Sequence, residues 1–360
     1  MGSIALRPNG RWRARYRDST GREHARHFLR KDDAQRWLDA VAAASASGRR
    51  THELEADVTF REYEEVWRSI RLHRTSSGAH VETMLRRHVY PTLGGRRLGT
   101  IVHFDIQAWV STLSTTAGLA TSTVRVIHGI VSSVFLAAVR DRRLTTNPCE
   151  GTRLPARERR LVVPLRTEQV TRLRAEVPHE LRALVTFTAR TGMRQGEVFG
   201  VTQDRLRLDG NDPVVIVDRQ LRTLPGATTA FGPLKTHSSR RIIPLPRVVV
   251  TALDEHLRTY DRAEDGLVFT LAGRPIVRSA FGHVWRPAAK AAGLSELTGT
   301  GMHALRHYYA SLLIRFGESA RTVQARLGHA SPSETLETYA HLWHDSDDRT
   351  RTAIDIELGL

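Results

Sequence analysis

The stretch GMHALRHYYASLL, residues 301–313, decides how the chain is read. Helical spacing puts His303, Arg306 and His307 along one face, with Tyr308 and Tyr309 directly behind them. Such a face either grips an anion or fills a core, and His303 could also simply cap the helix. His303 and His307 at i, i+4 resemble half of the H-E-x-x-H zinc motif, but Ala304 stands where that motif needs its base. No third metal ligand stands out, and zinc is set aside. Further on, ARLGHASPSETLETYAHL (325–342) places His329 behind Gly328 at a helix end. Ser333 then opens another helix, whose expected apolar stripe is Leu336, Ala340 and Trp343. Tyr339 lies beside that stripe, either as a packed core tyrosine or as something more reactive.

Two upstream segments carry more chemistry. In ARTGMRQGEVFG (189–200), Gly192 ends one helix, Arg194 stands near the start of the next, and Glu197 follows three residues later. Arg and Glu at i, i+3 face one another, and the bland reading is a surface ion pair of little worth. In FGPLKTHSSRRIIPL (231–245) the pattern reads as a β-hairpin tip, with Lys235 ending the incoming strand and RRIIPL returning. Only three of the 54 basic residues are lysines: Lys31, Lys235 and Lys290. Lysine can give up a proton and arginine effectively cannot. A proton donor is one reason to keep lysine at this tip, and chance is another.

Composition sets the partner. The formal net charge is +16, with a pI near 11.0, which favours a polyanion, and DNA or RNA is the default. Residues 1–50 hold 12 Arg and Lys against 5 Asp and Glu, a net of +7, whereas residues 331–360 hold 2 against 7, a net of −5. The basic end suits phosphates and the acidic end suits protein. A single cysteine, Cys149, excludes an internal disulfide and a cysteine metal cluster. No signal peptide opens the chain, and no run approaches the roughly 18 apolar residues of a membrane span. A cytoplasmic location is expected.

Along the chain, RPNG (7–10) and DSTG (18–21) separate three short alternating runs, which read as a three-stranded meander. Asp32 and Asp33 open a helix running to about Ser45, and SGRRTHELEAD (47–57) reads as a linker. Residues 58–147 look helical throughout, and residues 147–160 form a second linker. From 161 to 345 helices and strands mix, and AIDIELGL (353–360) is an alternating apolar-acidic tail. The expected fold class is therefore multidomain, mainly α with small β elements.

Taken in order, Arg194, Lys235, His303-x-x-Arg306, His329 and Tyr339 resemble the catalytic set of the tyrosine recombinases, the phage integrase family. The resemblance runs from about residue 58 to 345 and extends to the N-terminal unit. It implies an arm-type DNA-binding domain at 1–50 and a helical, SAM-like core-binding domain at 58–150. A mixed α+β catalytic domain would follow at 161–345, with a C-terminal tail at 346–360. Arg194 and Arg306 would clamp a DNA phosphodiester and Lys235 would protonate the leaving 5′-oxygen. His303 and His329 would bond the phosphate or position the nucleophile, and His303 could also accept the proton of Tyr339, the nucleophile. Glu197 would orient Arg194. A phenol has a pKa of about 10, so nearby cations and a base are needed. The implied activity is site-specific recombination through a 3′-phosphotyrosyl intermediate, integrating or excising a prophage or mobile element, without metal or cofactor. Double-stranded DNA at attachment sites, a homotetramer on it, and DNA-bending or excision proteins are the implied partners. A type IB topoisomerase-like enzyme shares this chemistry. A DNA-binding regulator on an idle scaffold is the non-enzymatic alternative, and the intact set of six positions counts against it.

Overall fold

The three N-terminal runs fold as a meander because turn residues interrupt them and their side chains alternate. Strands β1 (Ser3–Leu6), β2 (Trp12–Arg17) and β3 (Glu23–Phe28) pair antiparallel in that order, with Arg15 opposite both Ser3 and Ala25. Ala14 and Tyr16 are buried, and Tyr16 and Phe28 tilt against Trp37 of helix α1 (Lys31–Ala46). The period of two sends Arg13, Arg15 and Arg17 to the opposite face. There Glu23 reaches Arg13 at 3.1 Å and Arg15 at 3.6 Å.

The computed structural model describes the chain apart from residues 1, 9, 18–20, 22, 47–57, 72–74, 157–160, 225, 227, 261–262, 264, 295–300, 344–346 and 359–360. The expected linker at 47–57 and the end of the second one thus lie outside the described residues. The chain divides into two units, Met1–Arg159 and Arg160–Leu360.

After the meander, the first unit holds helices α2 (Phe60–Ile70), α3 (Thr75–His88), α4 (His103–Thr115) and α5 (Thr121–Arg140). Thr59 and Glu62 close a capping box at the start of α2. By length and hydropathy α5 could cross a membrane, contrary to the expectation that no run approaches that length. Its Val124, Ile127, Val131, Val134, Phe135 and Ala138 are instead buried with Phe60, Leu85 and Trp109 in the core of the bundle.

The second unit is built around α7 (Arg182–Thr191), preceded by α6 (Thr167–Glu176) and followed by the short α8 (Gln195–Phe199). Leu184, Val185, Phe187 and Ala189 of α7 are fully buried. Its buried threonines remain satisfied because each hydroxyl bonds the carbonyl four residues back, as Thr188 does with Leu184 at 2.7 Å. Strands β4 (Leu206–Arg207), β5 (Val214–Val217), β6 (Arg219–Thr223), β7 (Thr229–Pro233) and β8 (Arg241–Pro244) come next. They form a β4-β5-β8 sheet and a separate β6-β7 ribbon.

That pairing corrects the expected hairpin. The segment entering at 231–233 turns back on β6, while RIIP crosses to β5, with Ile243 opposite Val215. Residues 234–240 therefore connect two sheets. Buried side chains decide the matter: Val215 and Ile243 share the core with Val217 and Leu245, which leaves β7 only β6 to pair with.

Helices α9 (Arg247–Thr259), α10 (Arg278–Ala291), α11 (His303–Arg315), α12 (Ala320–Leu327), α13 (Pro332–Tyr339) and α14 (Asp347–Leu358) complete the unit. Helices α9 and α11 both pack on α7. On α13 the buried pair is Thr335 and Tyr339, whereas Leu336 of the expected stripe is 45% exposed. Residues 353–358 of the alternating tail fall within α14, with Ile354, Ile356 and Leu358 exposed.

Candidate active site

The end of α7 sets the first cation. Its C-cap Gly192 has φ 60° and ψ 18°, and a Cβ there would lie 2.4 Å from Cδ1 of Tyr309. Both the left-handed backbone and the ring behind it call for glycine. Two residues later Arg194 is the N-cap of α8. Glu197 accepts from the Arg194 amide at 2.8 Å and from its Nη1 at 3.1 Å, closing the expected i, i+3 pair. This is no surface pair, for Glu197 is buried and Arg241 donates Nη2 to it at 2.8 Å. Burial alone would raise the Glu197 pKa; Arg241 and Arg194 overcome that and hold it below the usual carboxylate range.

Main-chain carbonyls at helix ends aim the guanidiniums. Arg194 donates Nη2 to the Gly328 carbonyl at 2.9 Å and Nη1 to the Ser239 hydroxyl at 3.1 Å. Arg306, on the second turn's approach of α11, is 1% exposed. It donates Nη1 to the Gly192 carbonyl and Nη2 to the Leu327 carbonyl, each at 2.7 Å. Burial, with Arg194 nearby, lowers its pKa to about 9, so it stays protonated at neutral pH. Each terminal nitrogen of Arg306 bonds one carbonyl and carries a second N–H.

Tyr339 ends α13 and is 1% exposed. Its hydroxyl meets Nδ1 of His307 at 2.7 Å. Burial pushes the phenol up to about 12, although Arg306 pulls the other way. Burial outweighs the pull of Arg306, so the phenol holds its proton more tightly than a free tyrosine does. The His329 ring stacks on Tyr339 with centroids 6.5 Å apart and planes 8° apart, while its Nδ1 pairs with the Thr335 hydroxyl at 2.8 Å. Burial and then Arg306 lower His329 to about 4; burial, His303 and Arg306 bring His307 to about 4 as well. His303 stands edge-on to His307, with centroids 4.7 Å apart. His303 is exposed, yet the protein crowded around its ring, together with Arg306 and Arg194, still lowers its affinity for a proton.

Of the residues singled out from sequence, Arg194, Glu197, Arg306, His303, His329 and Tyr339 thus come together. Lys235 is exposed two residues past β7, and among the described residues its ammonium has no partner. Its loop is moored to the site, because Thr236 bonds Ser239, which holds Arg194. Two groups were missed. His307 was seen only as continuing a helical face, and Arg241 only as part of a strand. Tyr308 and Tyr309 are both buried, Tyr308 with its hydroxyl 3.1 Å from that of Thr167. Among the described residues no cluster of three His, Cys, Asp or Glu could hold a metal ion. Two guanidiniums with unused N–H groups, set beside a buried phenol, can bind an oxyanion and present a nucleophilic oxygen to it.

Residues 164–345 match the Phage integrase family, and residues 1–47 match the phage integrase N-terminal domain. The chain is 26% identical over 356 residues to a prophage phiRv2 integrase of Mycobacterium tuberculosis, covering 95% of this chain and 91% of the relative. It is 24% identical over 345 residues to the integrase of Mycobacterium phage D29, covering 92% and 90%. Its fold is similar to that of the Tn1549 transposon integrase solved with a circular intermediate DNA, with a TM-score of 0.71 and 21% identity over 82% of this chain and 98% of that one. A lambda integrase tetramer solved on a Holliday junction gives a TM-score of 0.58 and 18% identity over 92% and 94%.

Proposed function

The chain belongs to the phage integrase family of site-specific DNA recombinases, and from that membership we propose how its own residues cut and rejoin DNA. The observation that supports the reading is that Arg306 lies close enough to both Arg194 and buried Tyr339 for their charges to act on one another, with His307 on the phenol's hydroxyl and His329 stacked on its ring.

In this reading a DNA phosphodiester enters against the free N–H groups of Arg194 and Arg306. Tyr339 attacks phosphorus, the P–O5′ bond breaks, and Lys235 gives its proton to the departing 5′-oxygen. The charge that develops on the non-bridging oxygens meets donors already aimed by the Gly192, Leu327 and Gly328 carbonyls. Little reorganisation is left to do when the barrier is crossed, and losing one such donor costs about 10²–10³ in rate. His329 and His303 bond the phosphate or orient the groups around it, and Glu197 orients Arg194. The resulting 3′-phosphotyrosyl bond conserves the ester's energy, so a 5′-hydroxyl from a second duplex reseals it without ATP. The reaction needs no metal ion.

The same reading assigns residues 1–50 to arm-type DNA, through Arg13, Arg15 and Arg17 of the open sheet face. Residues 58–150 grip the core site, residues 161–345 catalyse, and the segment from 346 docks on a neighbouring protomer in a tetramer built on two duplexes. DNA-bending or excision proteins assist, and the protein works in the cytoplasm on an integrating element.

The test uses a nicked duplex spanning the joined ends of the element that encodes the chain. In EDTA the wild-type protein forms a covalent protein–DNA adduct and Tyr339→Phe forms none. An adduct that persists in Tyr339→Phe removes Tyr339 as nucleophile, and a strict Mg²⁺ requirement removes the metal-free arginine clamp.

A further inference from the structure

Three histidines surround the nucleophile, and only one bonds its oxygen. His329 lies flat against the phenol ring, and its Nδ1 is committed to the Thr335 hydroxyl at 2.8 Å. His303 sits one helical turn back along α11 and touches His307 edge-on. His307 places Nδ1 2.7 Å from the Tyr339 oxygen, within the range of a good hydrogen bond. Its ring plane stands at 65° to the phenol ring, so the contact is nitrogen to hydroxyl rather than ring on ring. We propose that His307 is a catalytic residue that takes the phenolic proton from Tyr339 as the phosphotyrosyl bond forms. The inference rests on Tyr339 being the nucleophile.

The step balances. The Tyr339 O–H bond breaks and an N–H bond forms at His307 Nδ1, while Tyr339 oxygen bonds phosphorus and the P–O5′ bond gives way. The 5′-oxygen takes its proton separately, from Lys235. On resealing the path reverses: the phenolate leaves phosphorus and His307 returns the proton.

The surroundings set when this happens. The charged and titratable groups facing His307 are His303 and Arg306 on its own helix, Tyr339 on α13 and His329 beside it. Without DNA these cationic neighbours and burial keep the imidazole neutral, free to accept, while burial keeps the phenol protonated. A phosphate arriving at Arg306 supplies the anion that offsets those cations, so an imidazolium at His307 becomes affordable once substrate is in place.

The experiment follows adduct formation on the same nicked duplex in single turnover, for wild type, His307→Phe, His307→Gln and Tyr339→Phe. Glutamine keeps a hydrogen-bonding group at the phenol but cannot take up a proton. General-base loss predicts a fall of about 10²–10⁴-fold for both His307 variants at pH 7.5, with duplex binding within threefold of wild type. The rate of His307→Gln then climbs about tenfold per pH unit from 7 to 9.5, as hydroxide replaces the missing base, while wild type is flat. In DNA-free protein, nitrogen NMR of His307 shows Nδ1 unprotonated and Nε2 carrying the hydrogen. Wild-type rates in His307→Gln, or a proton found on Nδ1, overturn the proposal while leaving the nucleophile intact. An adduct in Tyr339→Phe overturns instead the assignment on which it rests.

Discussion

Replacing Arg241 by methionine tests whether the site is held up from behind. Arg241 and Glu197 meet at 2.8 Å with side chains 5% and 2% exposed, and Arg241 also bonds the carbonyls of Arg326 and Ser239, each at 2.8 Å. Breaking a buried ion pair from one side costs about 3–5 kcal/mol, because the remaining charge is stranded. Arg194 still shares Glu197, which favours the lower half of that range, and the two orphaned carbonyls add about 1 kcal/mol each. The expected loss is therefore about 5–6 kcal/mol in the unit Arg160–Leu360. Read by hydrogen exchange of amides in α8 and β8, that corresponds to opening about 10⁴-fold more often. The double variant Arg241→Met with Glu197→Gln no longer strands a charge and should recover about 1.5–3 kcal/mol relative to additivity. Adduct formation falls in Arg241→Met because Arg194 loses the carboxylate geometry that aims it. A loss under 1 kcal/mol, or strict additivity in the cycle, would show that Arg241 is a bystander.

Two further outcomes follow from the same geometry. Gly192→Ala combines a left-handed backbone with a methyl carbon 2.4 Å from the buried Tyr309 ring, and should cost about 2–4 kcal/mol in urea melts. Gly210→Ala, with φ +88° but open space around it, should cost only about 1–2 kcal/mol, and equal costs for the two would discredit the ring contact. Acid is the other probe. The folded pKa of His329 lies near 4, below its ordinary 6.5, so the unfolded chain binds more protons between those values and stability falls as pH drops through that window. His329 is 7% exposed, and the loss should be roughly 1–3 kcal/mol from pH 7 to pH 4. Because His307 is depressed into the same range, His329→Gln should remove about half of the pH dependence of the melting temperature between pH 7 and 4; a slope unchanged in that variant would locate the effect elsewhere.

What the sequence made legible was local. Gly192, Arg194 and Glu197 are read correctly because a helix stop, a cap and an i, i+3 pair each involve a single turn of chain. His303, Arg306 and the Gly328–His329 helix end are legible for the same reason. The failures are tertiary. Nothing in RIIP announces that it pairs with Val214–Val217 rather than with the strand just before it, so local pattern alone points to the wrong partner for the Lys235 segment. Arg241 looks like one more arginine in a chain full of them until Glu197 is found behind it. His307 announced its face but not its partner, since Tyr339 lies 32 residues away on a different helix. On α13 the Thr335–Tyr339 side is buried rather than Leu336 because Tyr339 joins the cluster of Tyr309, Ala310, Ile314, Val323 and Leu327, while Thr335 bonds the His329 imidazole, and none of these partners lies in the stripe read from spacing.

The charge of the site connects these residues to the reaction. Among the described residues Arg194, Arg241 and Arg306 bring three positive charges to one buried region, and Glu197 brings the single buried negative one, a net of +2. The carbonyls that hold the guanidiniums contribute dipoles but no net charge. A resting phosphodiester carries one negative charge, whereas the in-line transition state, with the phenolic proton removed, carries close to two. With a phosphodiester bound the region keeps a net charge of about +1, and the guanidinium donors are aimed at oxygens whose negative charge grows as the barrier is crossed. A site complementary to the transition state rather than the ground state is what accelerates a reaction instead of merely binding its substrate. Burial first, and then the same positive excess, keeps the histidines neutral without DNA. Moving the phenolic proton to His307 leaves the region's net charge unchanged while it shifts the second negative charge onto the phosphoryl group, beside the guanidiniums rather than across solvent.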